Sequence, residues 1–555
     1  MYCYHYENLK IAAQSEEGKA LLSRAEEIYN EKYKNQPILA LNYALWKVYY
    51  VNGNRSQYEK MYFERRARLN LLQLLAIKSD EYLEDLENVL AAICEEFSWA
   101  LPAHSLIADT EEFAYDIVDL FASETGFYLA ETVYIFGERL SADIRNRIHI
   151  SLENRIVKNV EKRRHNWEAG KSNWSAVCTC GVGLTYLYAF PDRFPLVEAR
   201  LMKAFEGYLS GVAEDGYCSE GVGYWQYGFG FFSLFFDVYA QLKRKHEFLE
   251  LEKVQKVLNY PVNAEMDDGV YIPFADGGAP RHNLHLGYLY AIKNLFGERF
   301  TAPVSLCLDK FSAFPRALGA RILYGCHFLK ETGEQDKKEK SVYYEKSQVF
   351  IYRNERYSFV VKGGYNEELH NHNDVGAFQI VKNQKRLIVD IGAGEYTKEY
   401  FNRKTRYKDE IFVCASQSHS VPILDGLTQT FGREYKGQVL EKEENRIVID
   451  LSKAYGGFEG SVIAEYTVAK TGVTVKYRCD GLKEKVVFRF VSECQPKWVN
   501  GEVRIDELTL KNKENVAPQL SERSYPGVSG TEGKVYLIDY TFTGKNVEAQ
   551  FDFIL

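Results

Sequence analysis

The chain has no run of about 18 apolar residues, so nothing in it reads as a transmembrane helix. The first ten residues, Met1 to Lys10, lack a basic segment leading into an apolar one. No signal peptide is visible there, and the expected compartment is the cytoplasm, or the periplasm or exterior if a leader has been removed. Excess positive charge is missing too. The formal net charge is −8, which excludes nucleic acid as a main partner, because binding it requires a basic surface. A local basic cleft in an acidic protein still attracts a polyanionic glycan. Ten cysteines are present, but they form no dense framework and no C-x-x-C pair. Cys178 and Cys180 stand two apart, which suits neither a redox pair nor a zinc knuckle, so most of the cysteines are expected to be buried thiols of a reducing compartment. A clean internal repeat is also absent.

The length, 555 residues, exceeds what one hydrophobic core usually organises, and two or three domains are expected. Apolar residues recur at helical spacing in Asn35 to Tyr50, Ala67 to Ile77, Glu84 to Phe97 and Phe113 to Leu120. The same spacing continues in Ala130 to Phe136, Ala176 to Phe190, Phe229 to Leu242 and His285 to Leu295. The texture changes after the charged stretch Glu331 to Lys340, which reads as a linker. Short alternating runs follow, among them Gln348 to Tyr352, Tyr357 to Lys362, Gly376 to Lys382 and Arg386 to Ile391. Ile447 to Leu451, Ser461 to Val468, Val473 to Arg478 and Lys485 to Val491 continue them. The expected organisation is an all-helical domain over 1–335, without strands, and an antiparallel β-sandwich over 336–555.

Four clusters carry residues suited to chemistry. The first is Leu369-His370-Asn371-His372-Asn373-Asp374, where two imidazoles at i and i+2 would share one face of a strand. A hairpin with its turn near Asn383-Gln384 leads back to Asp390, and His419 follows in Ser416 to Ser420. His372, Asp390 and His419 offer two nitrogens and one oxygen, a set that suits Zn²⁺ and also Mn²⁺; the alternative is a group of satisfied polar residues at an interface. The second cluster is Asp215 to Gly230, with Tyr224, Trp225 and Tyr227 among glycines. Glycines admit close backbone approach and the aromatics present faces to sugars, or simply pack a helix start. The third is Ser172-Asn173-Trp174, either a helix cap or an amide at a cleft wall. The fourth is Arg403 to Tyr407, a solvated loop or a holder of carboxylate or sulfate.

Taken in order, these stretches resemble the heparinase II/III family of polysaccharide lyases. The matching segments are Asn173 to Cys178, Glu220 to Gly228, His370 to Phe378, Val389 to Thr397 and Ser418 to Gly426, together with Gln429. The resemblance implies an incomplete (α/α) toroid followed by a layered β-sandwich. It implies a lyase that cleaves uronate-containing glycans by β-elimination, among them hyaluronan, chondroitin, heparan sulfate or alginate. Asn173 would neutralise the uronate carboxylate. Tyr227 would be the catalytic tyrosine, with Tyr224 as its rival, and His370 the catalytic histidine. His372, Asp390 and His419 would hold one divalent metal of structural role. Trp174, Tyr224, Trp225, Arg403 and Tyr407 would contact substrate. Many relatives place a histidine beside or at the Asn173 position; here the neighbours are Ser172 and Trp174. Two other functions compete. A glycoside hydrolase would need a carboxylate pair, for which Asp215 with Glu220 or Asp276 are candidates. A non-catalytic glycan-binding protein would use Trp174, Trp225 and the Arg403 to Tyr407 patch.

Overall fold

The computed structural model describes all residues except 1, 106–112, 243–245, 273, 278–283, 301–318, 329–339, 403–405, 408 and 529–530. Most of the linker expected at Glu331 to Lys340 therefore lies outside the described residues.

The chain divides into two compact units. The first comprises Met1–Val212, Trp225–Gln255 and Asn283–Gln335. It is built of helices, the longer ones being Glu16–Lys32, Ser56–Lys78, Leu120–Phe136, Asn173–Ala189 and Glu198–Gly211. Local chemistry sets several of their starts. Asp119 accepts from the backbone N–H of Ala122 at 2.7 Å, and Asn42 accepts from Leu45 at 2.9 Å, each satisfying an orphan donor of a first turn. The Asn42 cap explains why the helix expected from Asn35 begins only at Tyr43. Leu120–Phe136 and Asn173–Ala189 pack closely along their lengths. Gly181 permits this, since a Cβ there would stand 2.5 Å from the Ser123 carbonyl oxygen. Inside the unit, buried Arg321 forms an ion pair with Glu131 at 2.8 Å, and Tyr4 donates to Asp237 at 2.6 Å.

The second unit comprises Ala213–Tyr224, Lys256–His282 and Asp336–Leu555. All its strand pairs are antiparallel. A five-stranded meander runs Ser341–Tyr344, Val349–Arg353, Ser358–Lys362, Phe378–Lys382 and Lys385–Ile388. Eight- and four-stranded sheets complete the layers. One core joins the three sheets: Phe359 and Phe378 from the meander, Tyr466 and Phe551 from the larger sheet, and Phe488 and Phe490 from the smaller. The alternation read from the sequence is visible in strand Ser461–Ala469, whose residues up to Val468 are alternately half-buried and buried. The hairpin turn falls at Asn383-Gln384, both at positive φ (50° and 61°), the geometry that a two-residue turn requires.

The structure departs from the expected division in one respect. Two stretches counted with the helical half, Ala213–Tyr224 and Lys256–His282, belong to the β-rich unit, and the second includes a short strand pair, Glu265–Asp267 with Val270–Tyr271. Polar ties explain this. Asp215 accepts from the Ser347 backbone N–H at 2.8 Å and from its hydroxyl at 3.0 Å, and Arg353 donates to the Glu265 carbonyl at 2.9 Å.

The loop after strand Ser358–Lys362 is anchored by its last residue. The buried Lys362 ammonium lies 3.2 Å from Glu368 and 2.9 Å from Asp374, so one cation ties down both flanks of the histidine cluster. Lys362→Met would strand two buried carboxylates. Removing one partner of a buried ion pair costs about 3–5 kcal/mol, so the β-rich unit is expected to unfold at lower urea, measured by fluorescence.

Candidate functional site

The segment His370 to Asp374 is not a strand. It lies in the irregular loop between the short strand Tyr365–Asn366 and Phe378–Lys382, which corrects the same-face argument made from i and i+2 spacing. His370 adopts φ +54°, as does Ala275 at +57°. Left-handed backbone at a residue other than glycine costs about 1–3 kcal/mol and persists where surroundings over-determine it. The two imidazoles are nonetheless brought to one group: the carboxylate of Asp276, which is 1% exposed. Its Oδ2 meets His370 Nδ1 at 2.7 Å and accepts from Arg406 at 2.8 Å. Its Oδ1 meets His372 Nε2 at 2.9 Å and accepts from the Tyr400 hydroxyl.

These contacts set the electrostatics. Burial alone would raise the Asp276 pKa, but the hydrogen bonds from His370 and His372 and the Arg406 charge hold it well below the usual carboxylate range. Burial likewise opposes a charge on His370, and the Asp276 and Glu220 carboxylates outweigh it, so its pKa lies above the ordinary histidine value. Glu220 Oε1 stands 3.4 Å from His370 Nε2. Next to it, Gly221 at φ +81° packs on Gly277, where a Cβ would come within 3.1 Å of the Gly277 Cα. The Tyr224 ring lies 4.7 Å from the His370 ring, centroid to centroid, and its hydroxyl meets that of Tyr396 at 3.1 Å. Burial first, then Glu220 and Asp276, push the Tyr224 phenol above its ordinary value.

His372, Asp390 and His419 form a buried group whose candidate ligand atoms lie within 4.8 Å of one another. Asp390 Oδ2 meets His419 Nδ1 at 2.9 Å, while Oδ1 accepts from the Gly392 N–H at 3.0 Å. The opposite ring nitrogens, His372 Nδ1 and His419 Nε2, are buried without a hydrogen bond of acceptable geometry. Orphaned buried nitrogens are costly unless something binds them, so this group fits a metal ion. A second buried group, Asp276, His372 and Cys414, also brings its candidate ligand atoms within 4.8 Å of one another, but the Asp276 oxygens already meet four neighbours.

The helical unit holds the other candidates. Asn173 opens helix Asn173–Ala189, half-buried. Its Oδ1 lies against Gly228, where a Cβ would approach to 2.2 Å; the amide thus sits at the backbone of the residue that follows Tyr227. The Tyr227 hydroxyl donates to Glu124 Oε1 at 2.6 Å, and Glu124 Oε2 accepts from Tyr128 at 2.7 Å. Trp174 is half-buried, its ring 4.8 Å from that of His104. Trp225 is 2% exposed and packs on Phe229. It is a core residue, which corrects its reading as a sugar-stacking face: the helix periodicity turns it inward.

In the basic patch, Arg403 lies outside the described residues. Arg406 is buried and serves Asp276, so it is an internal cation and not a free anion holder. Tyr407 stacks on Phe431 at 4.5 Å. Sequence reasoning missed the roles of Asp276, Glu124 and Tyr400. Asp276 drew notice only as a hydrolase candidate, and no local spacing connects it with residues about a hundred positions away.

No family model and no curated protein matches the chain. Its fold does match solved structures. Heparinase III aligns at a TM-score of 0.65 and 12% identity, over 97% of this chain and 85% of that one. Heparan sulfate lyase from Pedobacter heparinus aligns at 0.57 and 12%, over 97% and 88%. Chondroitin AC lyase of Streptomyces coelicolor A3, solved in complex with chondroitin sulphate, aligns at 0.56 and 10%, over 99% and 82%. The chain therefore has the fold of these proteins, an incomplete (α/α) toroid followed by an antiparallel β-sandwich. Among the described residues no helix is long and apolar enough to cross a membrane.

Proposed function

We propose that the protein is a polysaccharide lyase that cleaves uronate-containing glycans, glycosaminoglycans foremost and alginate as the alternative, by β-elimination. Its partner is an anionic polysaccharide or oligosaccharide. The observation that carries this reading is the pairing of an amide and a phenol in the helical unit: Asn173 is seated against Gly228, next to Tyr227. The fold shared with heparinase III and chondroitin AC lyase supports the same class.

The chemistry explains why these groups are needed. A uronate C5–H is a weak acid because the adjacent carboxylate is already negative, and removing the proton builds an enolate-like charge. A preorganised amide donor at the carboxylate stabilises that charge, such donors being worth about 3–4 kcal/mol each. Asn173 takes this role. His370, or Tyr227 when base and leaving group are syn, removes the C5 proton. Tyr227 protonates the O4 leaving group. Tyr224, against His370, is the competing phenol. No water attacks, so no carboxylate pair is required. His372, Asp390 and His419 would hold the metal, Zn²⁺ or Mn²⁺, which when bound ties together the segments that carry them. Hydrolysis is disfavoured by the state of its candidates: Asp215 is engaged by Ser347, and Asp276 is buried among two imidazoles, a guanidinium and a phenol.

Four outcomes test this. Purified protein incubated with hyaluronan, chondroitin sulfate, heparan sulfate and alginate is expected to generate the ultraviolet absorbance of a 4,5-unsaturated uronate with at least one of them; reducing ends without that absorbance would mean hydrolysis. Tyr227→Phe should lower kcat by about 10²–10⁴-fold, the usual contribution of a general acid or base, and leave polymer binding intact. The same loss in Tyr224→Phe alone would transfer the role to that residue. Gly228→Ala would set a methyl 2.2 Å from Asn173 Oδ1 and 2.9 Å from the Tyr208 hydroxyl; the helix propensity of alanine, about 1 kcal/mol better than glycine, offsets part of that crowding, so the chain should keep its helical circular dichroism yet lose turnover because the Asn173 amide is displaced. For the metal, His372→Ala should lose the ion, measured by plasma mass spectrometry, and then activity.

A further inference from the structure

Asp276 touches both histidines of the loop, and its chemistry dictates where their protons sit. A carboxylate oxygen accepts and does not donate, so each ring nitrogen it meets carries hydrogen. Those nitrogens are His370 Nδ1 at 2.7 Å and His372 Nε2 at 2.9 Å. We infer that Asp276 is a positioning residue for both imidazoles, holding the His370 proton on Nδ1 and the His372 proton on Nε2. The consequence is a division of labour. His370 keeps Nε2, which faces the Glu220 carboxylate at 3.4 Å, as the nitrogen that exchanges a proton, and His372 presents Nδ1 as a metal ligand. The inference rests on the lyase reading for its kinetic consequence and stands apart from it for the tautomers.

Four further observations agree. His372 Nδ1, the nitrogen that does not meet Asp276, is buried without a hydrogen bond of its own, while the Cys414 thiol stands beside the same ring. The same device recurs at His419, whose Nδ1 meets Asp390 at 2.9 Å while Nε2 is buried without one. Arg406 and Tyr400 donate into the two Asp276 oxygens, which pins the carboxylate in rotation and charge. On either side of the His370 contact the backbone is left-handed at residues that are not glycine, Ala275 at φ +57° and His370 at +54°. Such conformations are kept where the geometry of a site requires them. Metal occupancy and base orientation are thereby joined through one side chain, because both imidazoles lean on the same carboxylate.

The test uses the zinc-loaded full chain labelled with ¹⁵N-histidine. Long-range ¹H–¹⁵N correlation spectra, assigned with His370→Gln and His372→Gln, report which ring nitrogens carry hydrogen. Hydrogen on His370 Nδ1 and on His372 Nε2, with His372 Nδ1 metal-bound, is the expected result. A bare His370 Nδ1, or zinc on His372 Nε2, overturns the inference whether or not any variant folds. Asp276→Asn, whose amide can donate to an imidazole, should redistribute these protons. It should also weaken zinc binding about 10–100-fold, the usual effect of losing a carboxylate behind a ligand histidine. On whichever polymer the wild type cleaves, kcat should fall at least about 100-fold with KM within about twofold, as expected of a mis-set base tautomer. Asp276→Glu should restore part of the rate. An Asp276→Asn enzyme with wild-type spectra and turnover within about threefold refutes the role. If the wild type cleaves no uronate polymer, the lyase reading fails while the spectra still decide the tautomers.

Discussion

A negative charge taken out of water must be compensated, and at Asp276 that requirement organises the β-rich unit around its candidate site. An unpaired buried carboxylate would protonate or destabilise the fold by several kcal/mol. Here the charge, carried on a turn in the 256–282 stretch, is met by two imidazoles from the histidine loop and by a guanidinium and a phenol from the segment after Asp390. The arrangement explains why residues from the nominally helical half of the chain belong to the sheet-containing unit. It also explains why Arg406 is buried instead of facing solvent.

The histidine loop shows how one fold reconciles anchoring with strain. Lys362 and the pair Glu368 and Asp374 fasten its flanks. Gln429 adds a polar strut, accepting from the Val375 N–H at 2.9 Å and donating to the Val375 carbonyl at 2.6 Å. Between these anchors His370 tolerates a left-handed backbone because Asp276 holds its ring. In the helical unit the same principle is expressed through absence of a side chain. Gly228 leaves room for Asn173, and the buried Glu124 holds the phenols of Tyr227 and Tyr128.

Much of the fold was legible because periodicity is a local property. The strands Ser461–Ala469, Gly472–Asp480 and Lys485–Ser492 fall within a residue or two of the alternating runs, since one face of each is buried in a shared core. The Asn383-Gln384 turn was readable because asparagine tolerates positive φ. Helix starts were less legible where a cap overrode the apolar pattern, as Asn42 does. Trp225 was misread because an aromatic beside glycines has the same composition whether it faces a sugar or a core.

The sequence by itself determined the class of architecture, the order of its two halves and the candidates Asn173, Tyr227, His370, His372, Asp390 and His419, because helix and strand periods and short motifs are written in neighbouring residues. Only the tertiary structure decided which groups those residues lean on. Asp276 for the two loop histidines, Glu124 for Tyr227 and Gly228 for Asn173 are choices of packing between segments far apart in the chain. No local pattern encodes them, because the free energy that selects them arises only when distant polar groups are desolvated together.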